Sequence, residues 1–552
     1  MTEKATHIWE KYKKGIEHHS AMNLYDETER NWNFFVGEQW KGVAFKEKNY
    51  QPPIENIIKP IVRLQYSTVA QQKRAIVYND MTEGGALGDV ARHLTALAEK
   101  EWERGKLDNK MWQMVKRGAI AGDAYMYLYE QRKATDSAKV ELEPDIAHQL
   151  IPNTNIYFSD EQEEDINKME YIIIAERVPV TAVKQIAEKN GVAPELIATI
   201  TSDERRTEDA SDMVEVRSEK GKCTSLLYFE KTPAGIKYNR STETVIYDEG
   251  TLPFDIYPIV GFRWEETIGT RRGVSAVKNL IPNQLEINYT LYRRSQSVKR
   301  SAFPHMVYDS TAIQNVDKLT EVGSTIAVNS FAANPVQNLV SYLPPASISP
   351  DAEKLQGELV NITRELAGAG DAATGSVDPT KASGEAIKAA RDQSALPLNE
   401  QVSAEIQTLE DLALLWFKMW VGYAVNGLAI STEDENGTPM KIIINQPTLQ
   451  EIKPSIKIDV SPIDPYSVMA EDNNLLAMLT GRQISFEEFV DSLSENTNLP
   501  KAKFENIIKQ RKAMEQQMLA AQQQQMESDL AMAEAELAME QQVTAEMESG
   551  IR

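Results

Sequence analysis

The sequence predicts an α+β protein of several domains, and three observations lead to this prediction. The chain has 552 residues, which corresponds to about three or four units at roughly 150 residues per domain. Helical apolar spacing dominates both ends of the chain. In between, residues 120–262 carry short β-branched and aromatic runs bounded by turn residues. Helices segregated from strands along a chain are typical of the α+β class.

Composition narrows the class of protein. Apolar residues make up 42% and charged residues 26% of the chain, which excludes a mainly disordered or collagen-like protein. No apolar stretch approaches the roughly 18 residues of a membrane helix, and the charged N-terminus does not read as a signal peptide. The single cysteine, Cys223, lies in a polar segment and is predicted to be a surface thiol in a reducing compartment. These features predict a soluble cytosolic protein without a membrane partner.

The chain offers no motif that points to an enzyme. It has no phosphate-binding loop of the G-x-x-x-x-G-K-[ST] type. The run 368–373 fits G-x-G-x-x-[GA], but it follows a helical segment instead of a strand, which argues against dinucleotide binding. The pair His18 and His19 is predicted to lie on a solvated helix face in preference to a weak metal site. We therefore expect no catalytic residues, cofactor or metal.

The N-terminal half divides into a helical part and a β-rich part. Residues 1–115 are predicted to be mainly helical, with an aromatic-rich helix end that stops near Gly37. In the following segment, strands are predicted at 125–129, 171–174, 226–229, 244–247 and 256–262. A helix is predicted between them, near 181–190. The acidic runs 159–165 and 201–212 are predicted to be solvated loops between them.

A basic helix follows the β-rich part. From Arg271 to Arg300 the chain has seven bases and one acid, a local charge of +6 within a chain of −23. One face of this helix carries the apolar residues Leu280, Ile287, Leu291 and Val298. Pro282 is expected in its first turn. Either the bases form the solvated back of a surface helix, or they face phosphates or an acidic partner. Both interpretations remain open at this point.

The C-terminal half is again mainly helical. A helix beginning near Pro350 carries one apolar stripe, Leu355, Leu359, Ile362 and Leu366. A flexible small-residue segment at 368–382 precedes a long helix over 383–426, which Pro397 should kink. Strands at 441–445 and 455–460 are expected to rejoin the earlier sheet. Residues 511–547 lack glycine and proline and carry a heptad-like seam, which predicts self-association through a helical bundle or barrel.

The order of these segments resembles the portal proteins of tailed bacteriophages, in particular the short-tailed branch with long C-terminal helices. The resemblance lies in structural phrases that occur in the family's order, namely FFVGEQW (34–40), PPIENIIKPIV (52–62), RGAIAGDAYMYLY (117–129), QLIPNTNIYFSD (149–160), YPIVGFRWEE (257–266) and RRGVSAVKNLIPNQLEINYTLYRRSQSVKRSAFP (271–304). Each phrase alone is weakly specific, and their colinearity carries the resemblance.

The resemblance implies a ring, usually of twelve subunits, at one capsid vertex, through which double-stranded DNA is packaged and later ejected. It implies the partners terminase large subunit, major capsid protein, scaffolding protein and a head-tail adaptor, in the virion and in host cytoplasm during assembly. The implied domains are a wing (1–277), stem helix 1 (278–301), clip (302–349), stem helix 2 (350–367), tunnel loop (368–382), long kinked helix with return strands of the wing (383–470), and crown with a C-terminal helical barrel (471–552).

The resemblance also implies two sets of site residues. The DNA-channel candidates are Asp371, Asp378, Lys381, Arg293, Arg294, Lys299 and Arg300. The clip residues expected to dock the motor or adaptor include His305, Tyr308, Asp309 and Lys318. The missing phosphate-binding loop agrees with a portal, since the terminase motor would hydrolyse ATP.

Two other classes of function remain as alternatives. A coiled-coil scaffold built on the C-terminal helix would form fibres or small oligomers without a DNA channel, but it leaves the β-rich middle unexplained. A hydrolase that uses scattered acids would need chelator-sensitive activity, and no metal-ligand spacing supports it.

Overall fold

A computed structural model gives the architecture of the chain. It describes residues 3–45, 52–71, 73–81, 87–131, 145–203, 221–233, 235–302, 306–313, 340–342, 350–369, 396–424, 427–433 and 439–461, with shorter pieces within 315–328 and 475–514. The chain forms two compact units, Met1–Val460 and Ser461–Arg552. In the described part, no helix is both long and apolar enough to cross a bilayer.

Mainly helical parts precede and follow a middle part that holds most of the strands, as expected of an α+β protein. The helices are α1 (Glu3–Ala21), α2 (Leu24–Val36), α3 (Ile58–Ala70), α4 (Gly88–Gly105), α5 (Leu107–Ala121), α6 (Val180–Lys189), α7 (Pro194–Ala198), α8 (Ala276–Ala302), α9 (Pro350–Leu366), α10 (Asn399–Tyr423), α11 (Gln446–Glu451) and α12 (Phe486–Ser492). The strands are β1 (Lys73–Asp80), β2 (Asp123–Glu130), β3 (Ile146–Ile151), β4 (Ile156–Phe158), β5 (Tyr171–Pro179), β6 (Lys222–Thr232), β7 (Gly235–Ser241), β8 (Ile246–Thr251), β9 (Ile259–Arg263), β10 (Met306–Tyr308), β11 (Val340–Tyr342), β12 (Leu428–Glu433), β13 (Pro439–Ile444) and β14 (Pro454–Ser461).

The β-rich middle forms two separate sheets. One sheet has five antiparallel strands in the order β4-β5-β6-β7-β8, and the other has three in the order β3-β2-β9. Contrary to the prediction from the sequence, the C-terminal strands rejoin neither sheet. Instead β12 pairs with β13, and β14 pairs with β1. The reason is that β1, which the sequence pattern did not reveal, supplies an edge next to α3 for the returning chain.

Helix α10 is the apolar centre of the first unit. Trp416 and Trp420 are fully buried and stack with ring centroids 6.0 Å apart. The indole Nε1 of Trp416 donates to His148 Nε2 at 2.9 Å, which ties α10 to β3. The part of the predicted long helix before residue 396 lies outside the described residues, and Pro397 lies before α10 instead of within it. It lies in a 3-10 turn over Leu396–Leu398, and α10 begins at Asn399, because the residue before a proline disfavours the α conformation and proline lacks an N–H.

Three local predictions fail because tertiary contacts decide them. Cys223 is buried in β6 instead of lying on the surface, and burial raises the pKa of its thiol. His19 is fully buried, whereas His18 beside it is exposed. Glu161, in the acidic run predicted to be a solvated loop, is only 7% exposed.

Arg272 explains why His19 and Glu161 are buried, because it forms a buried ion network with both residues. Its guanidinium is bidentate to Glu161, with both N–O distances 2.9 Å, and lies 3.2 Å from Asp123 Oδ2 on β2. It also donates to the carbonyls of Asn153 and Ile156, each at 2.9 Å. Because a buried charge is costly unless it is paired and hydrogen-bonded, this network fixes the chain that leads into α8.

His19 completes the network as a neutral acceptor. Its Nε2 lies 2.8 Å from an Arg272 nitrogen, and a guanidinium can only donate, so Nε2 accepts and Nδ1 carries the proton. Burial and the Arg272 charge lower the pKa of His19 to about 4, against the raising effect of Glu161. Burial alone would raise the pKa of Glu161, but the charge of Arg272 and its hydrogen bonds to the carboxylate lower it to about 2.

The start of α8 depends on two glycines that face each other. Gly122 ends α5 with φ +106°, and a Cβ placed there would lie 2.3 Å from the carbonyl oxygen of Gly273. A Cβ on Gly273 would in turn lie 2.3 Å from the carbonyl oxygen of Gly122. Ser275 then donates to the carbonyl of Ile120 at 2.7 Å and accepts from the N–H of Val277, so α8 begins at Ala276. Pro282 therefore lies inside the helix instead of in its first turn.

The second unit contains a small aromatic cluster. Helix α12 begins with a capping box between Ser485 and Glu488. Phe489 is buried and contacts Phe486 and Phe504, with ring centroids 6.3 and 6.4 Å away. The heptad-like seam predicted over 511–547 lies outside the described residues, apart from isolated positions before 515.

Replacing His19 with glutamine should flatten the acid side of the stability curve. The unfolded chain binds a proton at about pH 6.5, whereas folded His19 resists protonation down to about pH 4. Wild-type stability from this residue is therefore full above pH 6.5 and falls as the pH drops through that window, by up to about 3 kcal/mol. Glutamine does not titrate, so the variant lacks this fall.

Urea unfolding at several pH values between about 7 and 4 measures the effect. The matched control is His18→Gln, at the exposed neighbouring position, which should keep the wild-type slope. Parallel stability curves for wild type and His19→Gln would contradict the assignment.

Candidate nucleic-acid channel and docking elements

Helices α8 and α9 form an antiparallel pair. Near one end, Arg294 donates to Gln356 Oε1 at 2.8 Å, and near the other, Asn283 donates to Thr363 Oγ1 at 2.9 Å. Residue numbers thus rise along one helix while they fall along the other. At 1.5 Å per residue, the 27 residues of α8 span about 40 Å. The helix bounds agree closely with the ranges 278–301 and 350–367 that the sequence predicts.

A buried polar joint fixes the base of this pair to the N-terminal helices. Gln284 Oε1 accepts from the N–H groups of Ile57 and Ile58, at 3.0 and 3.3 Å, where α3 begins. Its amide nitrogen donates to the carbonyl of Glu55 and to Asn288 Oδ1, and Asn288 in turn donates to Gln39. Both Gln284 and Asn288 are fully buried. The joint satisfies the free backbone donors of α3 and holds α8 in one register.

The seven bases from Arg271 to Arg300 do not form one patch. Arg271 and Arg272 are buried, and Arg271 donates to the carbonyl of Glu164. Lys278 pairs with Glu27 at 2.8 Å. The interpretation of 271–300 as one basic surface is therefore wrong for Arg271, Arg272 and Lys278. These side chains instead bind groups of the β-rich part and of α2.

The candidate cations lie on the C-terminal half of α8. Arg293 is exposed and lies 3.4 Å from Glu286, one of the weak ion pairs that surfaces carry. Arg294 is half-buried against Gln356. Lys299 is exposed. Arg300 lies on α8, and its side chain is outside what the structure describes.

The apolar stripe predicted on α9 faces solvent. Leu355, Ile362 and Leu366 are 46%, 49% and 79% exposed, and only Leu359 of the predicted stripe packs against the core. Polar residues decide this, since Gln356 and Thr363 bond to α8 and turn the stripe outward.

The insert between the two helices contains a small antiparallel sheet. Strands β10 and β11 pair Met306 with Tyr342 and Tyr308 with Val340. Tyr308 is 37% exposed, and next to it Asp309 accepts from the backbone and hydroxyl of Thr311, which lowers the pKa of Asp309. Lys318 lies in a 3-10 turn over Val316–Thr320. The structure thus places Tyr308 and Asp309 side by side, while His305 lies outside the described residues.

The remaining channel candidates, Asp371, Asp378 and Lys381, lie outside the described residues. The two ends of their segment are buried in the first unit. Ala369 is 3% and Leu398 is 8% exposed, and Gln65 of α3 donates to the carbonyl of Ala367 at 2.9 Å. Both ends are therefore anchored in the core cluster that contains α3.

Comparison with known families decides the class of the chain. Residues 9–549 match the family model described as phage P22-like portal protein. The chain belongs to this family. No curated protein matches the chain. Membership in the portal family makes this chain a phage structural protein, and it implies a homo-oligomeric ring associated with the capsid vertex.

The sequence interpretation missed the residues that position α8 and α9 of this portal chain. Gln284 and Asn288 are two amides four residues apart on α8, so they share one helix face with buried Ile287 and Ile281 nearby. That pattern, two amides on an otherwise apolar helix face, is the signal that indicates a buried polar joint.

Replacing Gln284 with leucine should destabilise the first unit. The change removes the acceptor for the N–H groups of Ile57 and Ile58 and leaves them buried without a partner, at a cost of about 2–3 kcal/mol. Urea unfolding followed by tryptophan fluorescence measures the free energy of unfolding. The control is Gln113→Leu at an exposed position on α5, where a change within about 0.5 kcal/mol is expected. Equal effects of the two substitutions would contradict the structural role of the joint.

Proposed function

We propose that the chain is the subunit of a closed ring whose central channel conducts double-stranded DNA into and out of a phage capsid. Its family membership carries this proposal. The antiparallel pair of α8 and α9, with a small sheet in the connecting insert, supports it, because the pair has the form of a stem that ends in a clip.

The proposed domains follow the same analogy. Residues 278–301 and 350–367 form the stem, 302–349 the clip, and 368–382 the tunnel loop nearest the DNA. The wing comprises 1–277 with the return part of 383–470, and the crown comprises 471–552. Twelve subunits form the ring, the terminase large subunit and later a head-tail adaptor bind the clip, and capsid and scaffolding proteins surround the wing.

The acidic charge of the chain suits a channel that must not hold its cargo. Each chain carries a net charge of −23, and a ring of such chains repels the phosphate backbone, whose contacts with Lys and Arg otherwise dominate DNA affinity. A few cations at selected levels steady the duplex without gripping it. The candidates are Arg293, Arg294, Lys299 and Arg300 on the stem, and Lys381 among Asp371 and Asp378 on the tunnel loop.

The first test is the assembly state of the purified full-length chain. We expect closed rings with a central hole wide enough for duplex DNA in negative-stain electron microscopy, and a mass of many subunits by multi-angle light scattering. Because ring formation can depend on capsid nucleation, the measurement is repeated with scaffolding protein. Fibres or small oligomers under both conditions would contradict the channel and favour the coiled-coil scaffold.

A second test concerns DNA affinity. Rings with this charge should bind duplex DNA no more tightly than a Kd of about 10⁻⁶ M at physiological salt, which is the tight end of ordinary non-specific binding. Fluorescence anisotropy with a labelled duplex measures the affinity, and the same titration at about 50 mM salt shows how far residual binding depends on Lys and Arg contacts. Nanomolar binding at physiological salt would contradict a conducting channel.

A further inference from the structure

The outward face of α9 carries acids and aliphatic residues in alternation. Spacings of four, three, four and three residues separate Asp351, Leu355, Glu358, Ile362 and Glu365, and Leu366 follows directly. All six side chains are exposed. This is the spacing of a seam between helices, and it lies on a different face from Gln356 and Thr363, which contact α8.

Two seams on one helix predict two helical partners. The first seam contains Gln356 and Thr363, and α8 of the same chain covers it. The second seam consists of the six exposed residues named above. The aliphatic residues of the second seam are 46–79% exposed. They lie in a row along the helix, whereas the exposed apolar residues of an ordinary protein surface are scattered singly.

Charge indicates what covers the second seam. Helix α9 has four acids and two bases, a net charge of −2, whereas α8 has five bases and one acid, a net charge of +4. The exposed residues on the C-terminal half of α8 include Arg293, Val298 and Lys299, two cations with one aliphatic residue. A second copy of α8 therefore complements the second seam of α9 in both charge and polarity.

The levels of these residues match as well. The bond between Arg294 and Gln356 places Arg293 within one turn of Glu358, and the antiparallel direction then places Lys299 near the level of Asp351. The steps between the two cations and between the two acids are six and seven residues, about 9 and 10.5 Å. In a ring whose axis runs along the helix pair, residues at equal levels of neighbouring copies meet.

We infer that the second seam of α9 packs against the exposed face of α8 in the next subunit. Glu358 faces Arg293 and Asp351 faces Lys299. Leu355 packs between these two pairs, near Val298, and Ile362 lies about one turn beyond Glu358. The two surfaces differ, so the contact is heterologous and closes by rotation. This inference rests on the proposed ring and names the surface that builds it. It assigns Arg293 and Lys299 to a contact with the neighbouring subunit, which leaves Arg294, Arg300 and Lys381 as the cations proposed to steady the DNA.

Charge reversal across the contact tests this inference. Arg293→Glu and Glu358→Arg each place like charges at every interface of the ring. We expect each variant alone to need at least a tenfold higher protein concentration for half of its chains to enter rings, as measured by light scattering and electron microscopy. Circular dichroism should show unchanged folding, because both residues are exposed.

Mixing the two variants in equal amounts should restore the rings. In an alternating ring, the native Glu358 of one variant meets the native Arg293 of the other at one interface. At the next interface, the two substituted side chains meet each other, so every interface regains opposite charges. The double variant carrying both changes should also recover. A contact within one chain predicts recovery of the double variant but no recovery on mixing, so mixing isolates the contact between subunits.

The outcomes separate this inference from the proposed function. Rings of wild type and of both single variants at equal concentrations would overturn the α8–α9 contact, leave the portal ring intact, and favour another occupant of the second seam, such as a tail or motor protein. Failure of single variants without recovery on mixing would also overturn it. Absence of rings in wild type would contradict the proposed function itself. The control is Arg92→Glu, an exposed helical arginine that also pairs with a nearby acid, and it should assemble as wild type does.

Discussion

The buried guanidinium of Arg272 is the interaction on which the rest of the first unit depends. It joins α1 through His19, β2 through Asp123 and the segment after β4 through Glu161, immediately before the chain enters α8. Each partner balances a charge that would otherwise be buried alone, so the loss of any one penalises the others. The ion network therefore fixes the chain where it enters α8, and Val277 and Ile281 of α8 pack into the main core cluster.

A second set of polar contacts continues this control along the helix. Gln284 and Asn288 hold the base of α8 against the start of α3, and Gln356 bonds both to Arg294 on α8 and to Glu55. Apolar residues at these positions would pack in several registers, whereas hydrogen bonds with fixed donors and acceptors permit one. A long helix needs this restriction, because an error of a few degrees at its start grows with distance along its length of about 40 Å.

The sequence predicted the order and type of most elements, and it failed where a distant residue decides. The aromatic helix end at Gly37, five strands of the β-rich middle and the α8–α9 pair follow from local periodicity and turn residues. The sequence pattern did not reveal β3, β4 and β7. The orientation of the stripe at Leu355, Ile362 and Leu366 does not, since periodicity shows which residues share a face but not which face meets the chain's own core. His19 and Glu161 are 142 residues apart, and neither has a local signal for burial.

The facing glycines at the entry to α8 limit how such chains can diverge. Neither Gly122 nor Gly273 leaves room for a methyl group, because each would place it 2.3 Å from the other's carbonyl oxygen. A larger residue at one position cannot be compensated by a smaller one at the other, since both are already the smallest. A pair of compensating substitutions is therefore not available at these two positions. Among distant relatives whose surfaces have changed beyond recognition, this pair should mark the start of the same helix.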